Sequence, residues 1–542
     1  MLDLDDVSEN LLASIGDRLL MIKKTLCKAS AALVVCAVAQ AAPVPGVQGT
    51  LKDAARQAVM ENPEVLGAWH EYEAATEQTQ VAKGGYLPTV DLEAGIGEER
   101  IDDPRFAQNT FNRDRVSVSL SQMLFDGFRT RNEVRRLNHA ARTRYYEVLE
   151  ASEQAAAETA RAYIDVLRHR GLVELSEENY ATHRLIYDQI ERRVRAGVSR
   201  RVDLEQASGR LALSESNLLT DVTNLHDVSM RYQRVVGEIP ATGLEEPKIA
   251  AGLVPGNIKD TLLAAYTNSP LMNAAIANMW SAEAATDVAK AAFVPRFDFQ
   301  ARQDVWHDRY DLDGRYEEGV IELVMRYNLF NGGSDSAEKR RLIEKTYQSL
   351  DIRDKTCRDI RQEVSIAWNN TRRLEEQKSY LDRHQLAIEK AREAYKRQFD
   401  IGQRTLLDIL DTENEYYEAR RAYLDADRDH TISYARTLAG SGKLVAALEL
   451  GPELHVMELP PGYDKQNPDM YAVCPQESDA AMSIDKEKVF RDAMQKRGYM
   501  QAPTPGPAGP EPYMKGGPAP DAIGTPKTET PATEEPPVPP KW

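Results

Sequence analysis

Cationic charge, large aromatics, cysteines and long apolar runs are all scarce in this 542-residue chain. Lysine and arginine total 68 against 85 acidic residues, a formal net charge of −17. That balance argues against a nucleic-acid surface, which needs cationic excess to displace counterions. Phe and Trp number 10 and 5, and mean hydropathy is −0.52. After residue 50 nothing approaches the roughly 18 consecutive apolar residues of a membrane-spanning helix. The composition favours long amphipathic helices over one large globular core. The cysteines are Cys27, Cys36, Cys357 and Cys474, with no Cys-x-x-Cys or Cys/His cluster to hold a metal. Nine histidines show no His-x-x-x-His, and there is no nucleophile motif and no phosphate-binding loop. No cofactor, no metal and no enzyme activity are therefore expected.

Near the start, Met21-Ile-Lys23-Lys24 opens a basic segment, Ala29 to Val38 is a short apolar run, and Ala39-Gln40-Ala41 has the small-x-small pattern of a cleavage site. This reads as a secretory signal, cut between Ala41 and Ala42. The acidic stretch from Met1 to Leu20 fits a true start at Met21. Val34-Val35-Cys36 lacks the small residues of an acylation site.

Beyond the Pro43–Gly46 linker, apolar spacing predicts a helix from Leu51 to Asn62 and a second from about Glu64 to Lys83. From Pro88 the period changes to two: Val90, Leu92, Ala94 and Ile96, then Val116, Val118 and Leu120, alternate with polar residues. Alternation over about ten residues fits a tilted transmembrane β-strand, although a soluble hairpin would read the same way. A long Pro-free helical pattern then runs to about Ala196, turns at Gly197, and returns from about Val202 to Val236.

The chain then repeats itself. Leu51-Lys-Asp53 recurs as Ile258-Lys-Asp260, Leu124-Phe-Asp-Gly127 as Leu329-Phe-Asn-Gly332, and Gly197 and Asp203 as Gly402 and Asp408. The repeat predicts a third strand through Phe297, Phe299 and Ala301, and a fourth through Ile321, Leu323, Met325, Tyr327 and Leu329. A helix from Ser334 to Ile401 would be roughly 100 Å long. The expected divisions are an upstream extension and signal (1–41), a first repeat (42–249), a second repeat (250–450) and a Pro-rich, largely disordered tail (451–542). Within the tail, Glu487 to Lys496 reads as a short helix. Pairing of Cys357 with Cys474 stays open. Asp308 to Gly314 lacks the ligand spacing of a calcium loop and reads as a hairpin loop. Acidic pairs along the long helices read as solvated faces.

The duplicated strand–Leu-Phe-[Asp/Asn]-Gly–long-helix unit and the Phe399-x-x-Gly402-x-Arg404-Thr-x-x-Asp408-x-Leu410-Asp411 turn resemble the TolC-like outer-membrane efflux and secretion proteins, over roughly Thr50 to Leu450. The resemblance implies an α+β membrane protein: a homotrimer whose 12-stranded β-barrel, four strands per protomer, continues as a coiled-coil barrel of long helices. It implies a location in the outer membrane with a periplasmic extension, in contact with lipid. The partners implied are a periplasmic adaptor and an inner-membrane transporter, either an ABC or a proton-driven pump.

The resemblance also assigns sites. Arg404 and Asp203 form a gate latch between neighbouring inner helices, and Phe399 stands where the family has a Tyr, so its hydroxyl bond is missing. Asp408 and Asp411 form constriction rings. Gly197, Gly402, Leu204 and Leu410, at the turns, meet the adaptor. Read on its own, Asp408 could equally be an acidic residue favouring a helix start. The function implied is an exit duct for type I protein secretion. The alternatives are a duct for small-molecule efflux and, in another class, a soluble periplasmic coiled-coil scaffold.

Overall fold

The computed structural model describes residues 49–101, 109–249, 251–307, 314–450, 473–475 and 484–497. The signal segment with Ala41 and Ala42, the tips of both strand-connecting loops and the Pro-rich tail beyond residue 497 lie outside the described residues.

Each repeat opens with two short helices: α1 (Leu51–Glu61) and α2 (Pro63–Gly84), then α5 (Ile258–Asn268) and α6 (Pro270–Lys290). Thr50 caps α1 by accepting from the Asp53 N–H, and Asn62 caps α2 by accepting from the Glu64 N–H. A proline at the first helical position then starts α2 and α6, where no N–H is missed.

The strands β1 (Thr89–Ile101), β2 (Asn109–Phe125), β3 (Arg296–His307) and β4 (Arg315–Arg326) form one antiparallel sheet in that order. The β2–β3 pairing joins the two repeats. Register places Val90, Leu120, Ala301 and Ile321 in one row across all four strands. That face also carries Leu92, Ile96, Leu323 and Met325, all more than 60% exposed. The opposite face buries Asp298, held by Arg296 and Arg326, and Asp304, held by Arg302 and Arg115. An apolar exposed face backed by a paired polar face is the pattern of a sheet with lipid on one side and water on the other. Within the chain β1 and β4 remain open edges. The fourth strand was expected to continue through Tyr327 and Leu329. It ends at Arg326, where the partner strand begins at Arg296, and Leu329 and Phe330 are left exposed.

Each repeat then sends out a long hairpin: α3 (Arg129–Arg195) with α4 (Arg201–Val236), and α7 (Ser334–Asp400) with α8 (Leu406–Gly440). Both outgoing helices have 67 residues and start and end 205 positions apart. Gly127, at φ +68°, lets the chain leave β2 against Val294; a Cβ there would lie 2.9 Å from the Val294 Cβ. Hairpin one meets hairpin two through α3 against α8.

The main core lies where α1, α3, α4, α8 and the short α9 (Leu444–Ala447) converge, around Tyr163, Ile164, Tyr232, Leu438 and Leu444. The alanines of α3 (Ala155, Ala156, Ala160, Ala162) are buried there and let the helices approach closely. Glu153 is buried in this region and accepts from the N–H groups of Leu444 and Val445, capping α9. Burial pushes its carboxyl up to about 8, against the pull of those two donors.

A raised folded-state pKa means the contribution of the neutral acid is full below the unfolded value and is lost as pH rises through the folded one. Melting temperature should therefore fall between about pH 4.5 and 8. Glu153→Gln, which keeps an acceptor, should flatten that part of the profile; an unchanged slope would remove Glu153 as its source.

A second core holds Leu262, Tyr266, Met272, Ile276, Ile360 and Val364. The open question of Cys357 and Cys474 is answered here: they form a disulfide at its edge. The Tyr266 hydroxyl donates to the Pro475 carbonyl at 2.7 Å, so residues 473–475 are held on α5 and α7. Residues 481–542 form a separate unit, in which α10 (Lys486–Lys496) is capped by Asp485, matching the helix expected there.

Candidate gate at the helical turns

Gly197 and Gly402 adopt left-handed backbone, at φ +74° and +78°, and close the two hairpins in five-residue turns. Between the hairpins at this end, Ile190, Leu406 and Leu410 are buried, with Ile186, Val194, Leu204 and Phe399 packed on them. Phe399 thus fills an apolar joint, and Arg193 stacks over its ring at 5.4 Å. Leu410 was expected to meet an adaptor. It is only 1% exposed, because it points into this joint, so it offers nothing to a partner while the joint is packed. The apolar residues that do face solvent here are Val198, Val202, Ile401 and Leu407.

The charged residues are held locally. Arg404 lies over the Tyr395 ring at 4.1 Å, donates to Gln398 Oε1 at 2.9 Å, and sits 3.8 Å from Asp408. Asp203 accepts from the Arg200 N–H at 3.1 Å as a helix cap. No ion pair joins Arg404 to Asp203 within one chain, so a latch between them would need a neighbouring copy.

Asp408 accepts from the Thr405 N–H at 2.9 Å and from the Thr405 hydroxyl at 2.8 Å, while its own N–H donates back to Thr405. This reciprocal cap is the helix-start role weighed for Asp408 from sequence. The Thr405 hydrogen bonds, with Arg404 nearby, hold the Asp408 carboxyl below the usual carboxylate range.

Asp411 has a partner the sequence did not disclose. It accepts from Arg210 at 2.7 Å, tying the two return helices α4 and α8 together. Farther along, a buried network repeats that connection. Ser176 of α3 bonds both Asp221 of α4 and the Tyr417 hydroxyl of α8, and Arg421 reaches Asp221 at 2.5 Å and Tyr417 at 2.8 Å. Within hairpin two, Arg392 and Lys396 clamp the buried Glu413 at 2.8 and 2.9 Å. Acidic pairs along the long helices were expected on solvated faces, but three acidic residues of these helices, Glu413, Asp221 and Glu153, are buried. They are 4%, 2% and 6% exposed, since each meets donors from another element.

Among the described residues no group of three or more acidic, His or Cys side chains is placed to hold a metal ion. No helix of the described residues is long and apolar enough to cross a membrane.

A sheet with an apolar exposed face, continued by hairpins that each pair a 67-residue helix with a return helix of 35 or 36 residues and close at glycine turns, defines the class of outer-membrane channel-tunnels, which are not enzymes. The family described as "Outer membrane efflux protein" matches residues 54–238 and 262–440. The chain belongs to that family. Its sequence is 25% identical over 387 residues to the outer membrane efflux protein BepC of Brucella suis biovar 1 (strain 1330), covering 68% of this chain and 80% of that one. It is 21% identical over 397 residues to the proteases secretion protein PrtF of Dickeya chrysanthemi, covering 68% and 83%. Among solved structures, the CmeC outer membrane channel of Campylobacter jejuni superposes with a TM-score of 0.68 at 15% identity, covering 76% of this chain and 90% of that one.

Proposed function

We propose that the protein is the outer-membrane exit duct of a tripartite transport system, closed at its periplasmic turns and opened when an adaptor and an inner-membrane transporter engage them. The observation that carries this reading is the four-stranded sheet, apolar on one face and unpaired at both edges, continued by the two long hairpins. A membrane barrel tolerates no open edge, so several copies must share one barrel. Three copies would supply twelve strands and turn each axial residue into a ring of three.

Opening is an outward swing of the inner helices α4 and α8. It breaks the exposed Arg210–Asp411 tie, and between copies the contact of Arg404 with Asp203. Exposed pairs of this kind are worth about 0.2–1 kcal/mol each, which suits a closure that must be reversible. Asp408 and Asp411, three residues apart on one helical side, are the proposed carboxylate filter. The adaptor would meet the turns at Gly197 and Gly402, with Leu204 beside them and the exposed Val198, Val202, Ile401 and Leu407 added.

For cargo we propose protein secretion. The similarity to PrtF, named for protease secretion, and the long Pro-rich tail support it. The similarity to BepC, named for efflux, supports the second reading, a duct for small molecules. Comparison of a deletion strain with its complemented parent separates them. Loss of specific proteins from the culture supernatant, with unchanged sensitivity to drugs and detergents, is the expected result. Raised sensitivity with an unchanged supernatant would replace protein secretion by efflux.

A further inference from the structure

The end of the sheet that meets the helices is unlike the rest of the chain. Residues 83–88, 124–136, 290–299 and 326–341 surround the four strand ends there. These 45 residues hold six of the ten phenylalanines, and eleven cations against five acids. Their net charge is +6, in a chain of −17. The apolar side chains are exposed at matching positions of both repeats: Tyr86 and Leu124 in the first, Phe293 and Leu329 in the second. Large apolar side chains left outside a core at the same place twice mark an interaction surface. The surface continues the apolar face of the sheet. The Phe128 ring meets Phe125 edge-on at 5.4 Å, Phe125 meets Phe297 at 6.5 Å, and Phe297 lies on the face of Ala301.

Phe128 is the sharpest departure. It adopts left-handed backbone, at φ +65°, where its repeat counterpart is Gly333 at φ +82°. A bulky side chain is strained in that conformation. The turn does not need the ring. Asp126 caps α3 by accepting from the Thr130 N–H at 2.8 Å, and the Phe128 side chain makes no cap bond. The ring is 56% exposed, with the Arg131 guanidinium 5.8 Å from its centre. The helix then opens with Arg129 and Arg131 and no acid in its first turn, the reverse of what its dipole favours. Arg129, Arg131, Lys83 and Arg340 are exposed and form no ion pair among the described residues. Two local costs thus leave a ring and unpaired cations on one rim, and such departures from local preference collect where a chain meets a ligand.

We propose that this rim binds anionic phospholipid of the membrane leaflet facing the periplasm. Phe128 enters the acyl boundary, and Arg129 and Arg131 take the headgroup phosphates. Lipid is the occupant because the rim runs on from the apolar face of the sheet, and an anionic headgroup because the cations there oppose the sign of the whole chain. The inference rests on the proposed duct, in which the sheet lies in the bilayer, and adds which lipid its lower edge selects.

The test uses full-length protein in detergent, with phosphatidylglycerol or phosphatidylethanolamine added and binding read as a dissociation constant. Wild-type protein should bind phosphatidylglycerol about fivefold or more tighter, and the preference should shrink as salt is raised. Arg129→Gln combined with Arg131→Gln should bring the preference close to one, with phosphatidylethanolamine binding unchanged. Phe128→Gly should weaken the binding of both lipids severalfold yet raise the melting temperature of lipid-free protein, because glycine relieves the left-handed backbone. A merely structural role would move stability and binding in the same direction. Equal affinity of wild-type protein for the two lipids, or a Phe128→Gly variant that melts lower than wild type, would overturn the lipid site. So would a Phe128→Gly variant that loses self-association with its lipid binding intact, which would give the rim to a second copy of the chain. Wild-type protein that does not enter vesicles at all would overturn the duct itself.

Discussion

Asp221→Ala lowers the stability of the chain by about 3–5 kcal/mol, the usual cost of removing one partner from a buried ion pair. The side chain of Asp221 is 3% exposed and joins Ser176, Arg421 and, through them, Tyr417. Its loss leaves the Arg421 guanidinium and the Ser176 hydroxyl without their common acceptor, at the point where α3, α4 and α8 meet. Asp221→Asn keeps an acceptor and should cost less. A urea or thermal unfolding series comparing the two checks this, and equal, small losses would mean the network contributes little. Tyr417→Phe should cost less than Asp221→Ala, because it removes a hydroxyl and leaves the charges paired.

The second large effect belongs to the Cys357–Cys474 disulfide, which closes 117 residues of chain. Removing a cross-link over a loop of that length costs about 4–5 kcal/mol in the chain-entropy account. Cys474→Ser should lower the melting temperature, and reductant should bring wild-type protein down to the same level while leaving the variant unmoved. Limited proteolysis should then cut the segment after residue 450 sooner. A wild-type melting curve insensitive to reductant would contradict the role given to this bond.

Much of this fold is legible in the sequence because its signals are periodic. Val90, Leu92, Ala94 and Ile96 alternate because one face of β1 is apolar and the other polar. The glycines at 197 and 402 mark the turns because only they take left-handed backbone there without strain. The 205-residue offset then makes each hairpin evidence for the other. What periodicity does not carry is pairing across helices. Asp411 finds Arg210 and Asp221 finds Arg421 at separations of 201 and 200, four and five short of the repeat offset, so the offset alone does not pair them. Leu410 was misplaced for a similar reason. It neighbours Asp411 in sequence but lies about 100° around the helix, facing Ile190 and not the exposed side. Cys357 and Cys474 could be paired only once α5 and α7 were placed together. The departure of Phe399 from the family's Tyr is explained locally, since the ring packs in an apolar joint beside Leu406 and Leu410.

We propose a duct whose periplasmic end is held shut by weak polar ties, and single-channel recording in planar bilayers reads that closure. Wild-type protein, with insertion confirmed by heat-modifiable mobility, should give small conductance steps. Arg210→Ala combined with Arg404→Ala, which frees α4 and α8 while keeping both filter carboxylates, should give steps several-fold larger, blocked by multivalent cations. An inserted double variant that passes no current would mean that these ties do not hold the duct shut.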